Sequence, residues 1–327
     1  MNTFGRLFRV SIFGESHGES VGILIDGTPP GIPLNKDDFI EDIERRRAAA
    51  KGTTSRIEKD SPNIQSGIYN NFTTGAPILI SFTNENINSE NYTQFRNIPR
   101  PGHADFTAIN KYKNYNDLRG GGFLSGRLTL GLVAAGVIAK KIIKPIEINA
   151  KILSVGGKTN IEQAVDDAIK TGDTIGGIIE CSADNIPVGL GEPFFDSVES
   201  LLSHIIFSIP AIKAIEFGAG FNAANMLGSE HNDLILNKEG KTLTNNAGGI
   251  NGGITNGNPL IFRVAVKPAS SISKPQKTIN LETNQVEELI IRGNHDVCIA
   301  LRMPVIIEAA AAIVFADLKL INKGIYG

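Results

Sequence analysis

The spacing of apolar and polar residues predicts a chain of interleaved strands and helices. Short runs rich in β-branched and aromatic residues are typical of strands, and longer apolar segments with a polar cap are typical of helices. Strands are predicted at residues 7–13, 21–25, 77–82, 146–155, 174–181, 212–217 and 259–266, and helices at residues 35–47, 125–144, 160–171, 194–208 and 304–320. No shift in composition marks a boundary, so we expect a single domain of mixed α and β structure over residues 1–327.

Capping residues support two of these helices. Asn35 and Asn160 stand where a helix N-cap is expected, and Gly172 stands where a helix ends in the left-handed conformation. The helix at 35–47 ends in an arginine triplet, which is either a set of solvated helix-end cations or, in part, an anion contact. Both interpretations stay open at this point.

The composition excludes several classes of protein. The 327 residues carry a formal net charge of −2, which gives no reason to expect nucleic acid or an anionic membrane as a partner. Two distant cysteines, Cys181 and Cys298, favour free thiols in a reducing compartment over a disulfide framework or a zinc site. The sequence contains no apolar run of about 18 residues and no secretory leader, so we expect a cytoplasmic protein.

Residues 99–127 carry the densest candidate chemistry. Arg100, His103 and Asp105 fall on a Pro-Gly turn, and three consecutive glycines, 120–122, come shortly before the apolar helix. Glycine allows positive φ and exposes backbone N–H groups, and a helix N-terminus attracts negative charge. The stretch therefore predicts a site for a phosphate or a carboxylate.

Three histidines, His17, His103 and His295, each lie beside an acid or a glycine in a polar motif. None belongs to a metal-binding spacing such as HxH or HExxH, so no metal is predicted. Imidazole titrates near neutral pH and arginine holds carboxylate or phosphate, which favours acid–base chemistry on an anionic substrate. A second glycine-rich loop at 245–257, followed by Lys267, suits a phosphorylated cofactor and equally well a plain hairpin loop.

One nucleotide-binding fingerprint is incomplete and another is absent. Residues 218–223 match the loose G-x-G-x-x-A pattern after a strand, but Gly228 interrupts the chain before a long helix could form. No strand ending in an acid follows about 20 residues later, and no P-loop pattern occurs in the sequence. We therefore predict an ordinary loop at 218–223, and a dinucleotide-dependent dehydrogenase is the weaker alternative.

Five motifs resemble the signatures of the chorismate synthase family, in that family's order and spacing. They are GESHG at 14–18, RPGHAD at 100–105, RGGGxxSGR at 119–127, KPxSSI at 267–272, and the HDxC segment at 295–298 with Arg302, Pro304 and Glu308 after it. One of these motifs would be weak support. Five in order, over nearly the whole chain, are very specific.

The resemblance implies a fold and a reaction. The fold is of the α+β class, a β-α-β sandwich in which two antiparallel sheets enclose helices, with glycine-rich active-site loops and a homotetrameric assembly. The enzyme is a lyase of the shikimate pathway, which leads to the aromatic amino acids. It converts 5-enolpyruvylshikimate 3-phosphate to chorismate by anti-1,4-elimination of phosphate, and it requires reduced FMN without net redox change.

The resemblance also implies three catalytic residues. His17 and His103 correspond to the family's two acids, of which one protonates the reduced flavin and the other the leaving phosphate. The sequence does not indicate which takes which role. Asp296 corresponds to the aspartate that helps the flavin N5 take the ring proton.

Binding residues carry over from the same motifs. Arg46 matches a position that contacts NADPH or the substrate phosphate, and Arg127 and Arg302 match arginines that contact the substrate. The implied flavin contacts are Phe123, Leu124, Ser125, Pro210, Ala211, Gly252, Lys267, Pro268, Ala269, Ser270, Ser271 and Asn294.

The sequence departs from the family pattern at two of these contacts. Phe123 and Asn294 stand where arginines are usual, and Val297 and Ala310 are milder changes. The second alternative is therefore a protein that kept the fold and lost the activity, a non-catalytic sensor of a phosphorylated ligand. No segment resembles an NADPH-dependent flavin reductase, so we expect a monofunctional enzyme whose FMN is reduced by an external reductase.

Overall fold

The computed structural model describes residues 2–47, 50–54, 58–87, 92–291, 293 and 295–327. The strands are Thr3–Phe4 (β1), Arg9–Gly14 (β2), Ser20–Asp26 (β3), Asn63–Ile64 (β4), Ile68–Tyr69 (β5), Phe72–Thr73 (β6), Ile78–Thr83 (β7), Glu147–Val155 (β8), Gly177–Asp184 (β9), Ile212–Phe217 (β10), Ile250–Asn251 (β11), Ile254–Thr255 (β12), Leu260–Val266 (β13), Gln276–Asn280 (β14) and Gln285–Leu289 (β15). The α-helices are Ile40–Arg46 (α1), Asp105–Lys111 (α2), Thr129–Ile143 (α3), Ile161–Thr171 (α4), Val198–Ser208 (α5), Gly228–His231 (α6) and Pro304–Tyr326 (α7). Short 3₁₀ turns lie at Lys36–Phe39, Thr93–Arg96, Arg119–Leu124, Gly126–Leu128, Phe194–Asp196, Gly220–Asn225 and Ile299–Arg302.

Two antiparallel sheets enclose a layer of helices. The first sheet has the order β1-β2-β3-β7-β4, and the second has the order β10-β13-β9-β8. Helix α3 packs on the first sheet, where a Cβ at Gly131 would lie 3.1 Å from the carbonyl oxygen of Gly22. Helix α7 packs on the second sheet, where the N–H of Ala150 donates to Glu308 at 3.0 Å. The predicted α+β sandwich is therefore confirmed.

The central helices follow from their composition. Most residues of α3 and of the first two thirds of α7 are apolar and fully buried, as expected of helices covered on every side. Gly136 lets the two backbones approach closely, because a Cβ there would meet the Cα of Ala309 at 2.6 Å. In β13 fully buried and partly buried residues alternate, so one face of the strand packs on the helices.

A buried cluster of charges joins the helices to the second sheet. Glu308 on α7 accepts two hydrogen bonds of 2.7 Å from Arg45 on α1. It also accepts one of 3.2 Å from Lys140 on α3. Burial alone would raise the pKa of Glu308, but these partners outweigh it and lower the pKa. The carboxylate is therefore charged and fixes the relative positions of the three helices.

Most predicted elements are found with small changes at their ends. Asn35 and Asn160 cap as predicted, and Gly172 ends α4 with φ +66°. Helix α3 begins at Thr129, four residues later than predicted, because the 3₁₀ turn Gly126–Leu128 comes first. The sequence analysis missed α2 and the β14–β15 hairpin.

The loop at 218–223 is not a dinucleotide site. It forms a 3₁₀ turn, Gly220–Asn225, and the next helix, α6, has only four residues. A Rossmann fingerprint requires a long helix at that place. Among the described residues, no helix has both the length and the apolarity that crossing a membrane would need.

Candidate active site

The loop at 14–18, between β2 and β3, lies against the triple-glycine segment. The N–H of Ser16 donates to the carbonyl oxygen of Gly122 at 3.1 Å. Asn84 holds the other side of the loop, because its Nδ2 donates to the carbonyl oxygens of Glu15 and Gly18 at 3.0 and 2.9 Å. Two segments about a hundred residues apart in sequence are thereby joined.

The triple glycine brings both predicted catalytic histidines to consecutive residues. Gly120, Gly121 and Gly122 have φ values of +58°, +82° and +53°, a conformation that side chains rarely adopt. A Cβ at Gly120 would lie 2.5 Å from Nε2 of His17, and a Cβ at Gly121 would lie 3.8 Å from Cε1 of His103. The two imidazoles therefore approach one loop from neighbouring positions.

The two histidines differ in their surroundings. His17 is buried, with 6% exposure, and its ring packs edge-on against Tyr92 with 5.1 Å between ring centroids. His103 is half-buried, and its Nδ1 lies 3.2 Å from Oδ1 of Asp105 and 3.2 Å from Nη2 of Arg100. Because the carboxylate can only accept a hydrogen bond and the guanidinium can only donate one, these two contacts favour opposite tautomers of the neutral ring.

Asp105 holds the 100–105 turn in place through hydrogen bonds. It accepts hydrogen bonds from Nε, Nη2 and the backbone N–H of Arg100 at 2.7, 2.8 and 3.0 Å. Burial by itself would raise the pKa of Asp105, but the hydrogen bonds from Arg100 and His103 outweigh it and hold the pKa well below the ordinary value. The charged carboxylate thus orients both the arginine and the imidazole.

Two predicted anion-binding arginines share one buried carboxylate. Nη1 of Arg127 donates to Asp60 at 2.5 Å, and Nη1 of Arg46 lies 3.8 Å from the other oxygen of Asp60. Asp60 has φ +51°, a strained value for a residue with a side chain. Arg46 also donates to Thr129 at 3.1 Å, and Arg127 donates to Asn84 at 3.0 Å. We call this group around Asp60 the arginine cluster. Of the arginine triplet at the end of α1, Arg46 belongs to this cluster, whereas Arg45 pairs with Glu308.

Arg302 joins the cluster to Asp296. Its Nη1 donates to Oδ2 of Asp296 at 3.1 Å, and its Nε donates to the carbonyl oxygen of Arg46 at 3.0 Å. The N–H of Thr54 donates to the other oxygen of Asp296 at 2.8 Å. Burial, followed by the charge of Arg302, lowers the pKa of Arg46 to about 9. Arg46 therefore stays protonated at neutral pH in a site with excess positive charge.

The segment at 267–271 lies against the turn that carries His103. Nζ of Lys267 donates to the carbonyl oxygen of Gly102 at 2.7 Å and to Ser270 at 2.7 Å. Ser270 donates to the same carbonyl oxygen. The N–H of Lys267 donates to Ala211 at 2.9 Å, which places Pro210 and Ala211 beside this segment. Ala211 has φ +76°, a second strained residue in this region.

The remaining predicted flavin contacts in these motifs take varied positions. Phe123 packs against the hydrophobic core, Leu124 is exposed beside His103, and Ser125 caps the turn by accepting from the N–H of Arg127. Ala269 accepts from Thr174, at 2.7 Å. Pro268 is exposed and Ser271 is buried.

Gly252 lies apart from this cluster within one chain. It occupies the turn of the β11–β12 hairpin, which is one of the two structures predicted for that loop. The hairpin packs beside the start of β13, where a Cβ at Gly249 would meet the Cα of Leu260 at 2.8 Å. Lys267 follows the other end of this seven-residue strand, so roughly 20 Å separates Lys267 from Leu260, at the end beside the hairpin. Asn294 lies outside the described residues.

Two cavities adjoin the glycine loop. The larger has a volume of about 610 Å³ and is lined by Glu15, Tyr92 and Arg119 among others. The smaller lies beside His103 and Leu124, and residues 116–118 line both. The larger volume is in the range of small-molecule sites. In the described part of the chain, no three His, Cys, Asp or Glu side chains converge as a metal site would require.

Sequence analysis missed several residues of the cluster. Asp60 and Asn84 carry no motif, and nothing near them in the sequence signals that they hold arginines. Asp105 was part of a recognised motif, and its position two residues after His103 was the available signal for a supporting carboxylate.

Comparisons with known proteins find matches along nearly the whole chain. The family model for chorismate synthase matches residues 8–320. A chorismate synthase of Chitinophaga pinensis is 60% identical over 324 residues, which is 99% of this chain and 98% of that protein. One from Dehalococcoides mccartyi is 46% identical, in an alignment that covers 98% of this chain and 96% of that protein.

A solved structure extends the similarity to three dimensions. The crystal structure of a chorismate synthase has a TM-score of 0.76 and 27% sequence identity with this chain, over 98% of this chain and 94% of that chain. Sequence and fold therefore agree along the full length, and the chain belongs to the chorismate synthase family of lyases.

Proposed function

We propose that the chain converts 5-enolpyruvylshikimate 3-phosphate to chorismate by anti-1,4-elimination of phosphate, with reduced FMN as its cofactor. The observation that carries the proposal is the convergence of His17 and His103 on consecutive glycines, 120 and 121. Two acids beside one loop can serve the two proton transfers of this reaction, one to the flavin and one to the leaving phosphate.

The described residues fit a phosphorylated ligand. Nη2 of Arg127 is buried and has no hydrogen-bond partner among the described residues, although a buried guanidinium N–H is costly to leave unpaired. A phosphate oxygen would satisfy it. Arg46 and Arg302 are further cations in direct contact with each other, and Lys267 is a cation beside the turn that carries His103.

Each predicted residue then has a defined task. Arg46, Arg127 and Arg302 bind the substrate and stabilise the charge of the departing phosphate. The segments at 123–125, 210–211 and 267–271 would hold the flavin. When bound, reduced FMN supplies electron density for C–O cleavage and recovers it as the proton leaves, so that no net redox change occurs.

Proton transfer depends on how the chain holds its imidazoles. When the His103 ring is protonated, its Nδ1–H donates to the carboxylate of Asp105, so the proton that His103 can give to a ligand is the one on Nε2. His17 is fixed by Gly120 on one side and Tyr92 on the other. Asp296 accepts a hydrogen bond from Nη1 of Arg302, and its proposed role is to assist the transfer of the ring proton to the flavin.

The test is phosphate release from 5-enolpyruvylshikimate 3-phosphate with photoreduced FMN under anaerobic conditions. We expect release that requires both the protein and the reduced flavin. His103→Gln should lower turnover by about a hundredfold or more, whereas His204→Gln, at an exposed histidine that packs on Phe4, should not. A folded protein that binds FMN and the substrate but releases no phosphate would be a non-catalytic sensor, and the proposal would be wrong.

Further properties extend the proposal. We infer a single domain, a homotetramer and a cytoplasmic location. FMN reduction is assigned to an external NADPH-dependent reductase. NADPH oxidation by the purified protein with FMN, under anaerobic conditions and without a reductase, would contradict this last point.

A further inference from the structure

His295 has a ring nitrogen without a role in the fold. Its Nε2 is shielded from solvent and has no hydrogen-bond partner among the described residues. An unpaired buried polar atom destabilises the folded state, so its retention in a folded protein requires a reason. Binding a ligand is one such reason.

The backbone beside His295 leaves space for its ring. Gly293 has φ +137°, a conformation that favours glycine. A Cβ at this position would lie 3.2 Å from Nε2 and 3.4 Å from Cε1 of His295. Any side chain at position 293 would therefore press on the imidazole at the nitrogen that lacks a partner.

The charged neighbours of His295 belong to the proposed active site. Arg100 and His103, on the turn before α2, are close enough for their charges to act on the ring, and Asp296 is the next residue along the chain. Burial, followed by the charge of Arg100, lowers the pKa of His295, while Asp296 acts in the opposite direction. The ring is therefore neutral at neutral pH in the free protein.

We propose that His295 is a further ligand-binding residue, whose Nε2 hydrogen-bonds the phosphorylated substrate and whose ring takes up a proton as that anion binds. The inference rests on the proposed function. A phosphate dianion favours the imidazolium form, because an opposite charge nearby offsets the effect of Arg100. The proton comes from solvent and returns to it when the phosphate leaves.

The test is isothermal titration calorimetry of 5-enolpyruvylshikimate 3-phosphate into the protein with oxidised FMN, which prevents turnover. Titrations at pH 7.5 in two phosphate-free buffers of different ionisation enthalpy give the number of protons taken up. His295→Gln keeps a hydrogen-bonding group near the position of Nε2 but cannot titrate. It should bind within a few-fold of wild type and take up fewer protons, by on the order of half a proton.

A second variant and a control complete the experiment. His295→Phe keeps a planar ring without a hydrogen bond and should bind roughly tenfold to a hundredfold more weakly. His204→Gln should match wild type in both affinity and proton uptake. Thermal unfolding shows whether each variant is folded, and if the Phe variant is not, the Gln variant decides the result.

Each outcome has one meaning. Unchanged proton uptake in His295→Gln, or wild-type affinity in a folded His295→Phe, would refute the role of His295 while the proposed function stands. If wild type neither binds the substrate nor releases phosphate from it, the proposed function and this inference are both wrong.

Discussion

Gly120 is the position at which the site is most sensitive to a small change. Alanine there would be held at φ +58°, which costs a non-glycine residue about 1–2 kcal/mol. Its Cβ would lie 2.5 Å from Nε2 of His17 and 2.8 Å from Oγ of Ser16, well inside van der Waals contact. Because His17 is buried against Tyr92, the ring cannot move aside freely, and overpacking of this kind adds about 1–3 kcal/mol.

Gly120→Ala should therefore lower the free energy of unfolding by about 2–5 kcal/mol. It should also lower turnover by about a hundredfold, because a shift of about 1 Å in a reacting group has an effect of that size. Stability is measured by urea denaturation, and turnover by anaerobic phosphate release at saturating substrate and reduced FMN.

Substitutions at two other glycines separate the effect of backbone strain from the effect of the contact with His17. Gly121→Ala has the strain, with φ +82°, but its Cβ would lie 3.6 Å or more from its neighbours, so the loss of stability should be smaller. Gly126→Ala has neither, because φ is not in the left-handed region and no heavy atom lies within 4 Å of its Cβ. If Gly120→Ala turns over as fast as Gly126→Ala, the contact with His17 does not position that ring, and the reasoning is wrong.

Three further predictions concern buried ionisable groups. Glu308→Ala leaves Arg45 paired with Asp42. It should lower the free energy of unfolding in urea by about 2–3 kcal/mol, below the range for fully buried pairs because Arg45 is partly exposed; an unchanged midpoint would contradict this. Burial raises the pKa values of Cys181 and Cys298, so iodoacetamide should label neither thiol at pH 8 until the protein unfolds, as mass spectrometry would show. Because the pKa of Asp105 is lowered, the stability that its carboxylate contributes is present above pH 3.8, the ordinary pKa, and is lost as the pH falls further. The difference in stability between wild type and Asp105→Asn should therefore narrow below that pH. A difference that stays constant with pH would refute the assignment.

Local sequence signals predicted those elements whose ends are set by local chemistry. Helix α4 is an example, because Asn160 and Gly172 satisfy its terminal backbone groups without help from the rest of the chain. The β14–β15 hairpin was missed because its strands are mostly polar, and only Leu289 of these ten residues is buried. The sandwich itself depends on contacts between distant segments, which periodicity does not report.

The active site shows the same limit. The motif residues were identified by resemblance, whereas Asp60 and Asn84 act through partners that lie 43 or 67 residues away in the sequence. Gly252 is a different case, because within one chain its hairpin lies at the end of β13 opposite Lys267, and its flavin contact stays a prediction.

The unequal charge of the arginine cluster affects how the protein should be handled. Within the described residues, Arg46, Arg127 and Arg302 have two carboxylates in direct contact, those of Asp60 and Asp296. Sulfate or inorganic phosphate in a storage buffer would enter this region as a weak competitor, and by binding the folded state it would raise the melting temperature as its concentration rises. Melting curves or affinities recorded in such buffers would then describe a partly filled site, and Tris or HEPES is the appropriate medium for comparing variants.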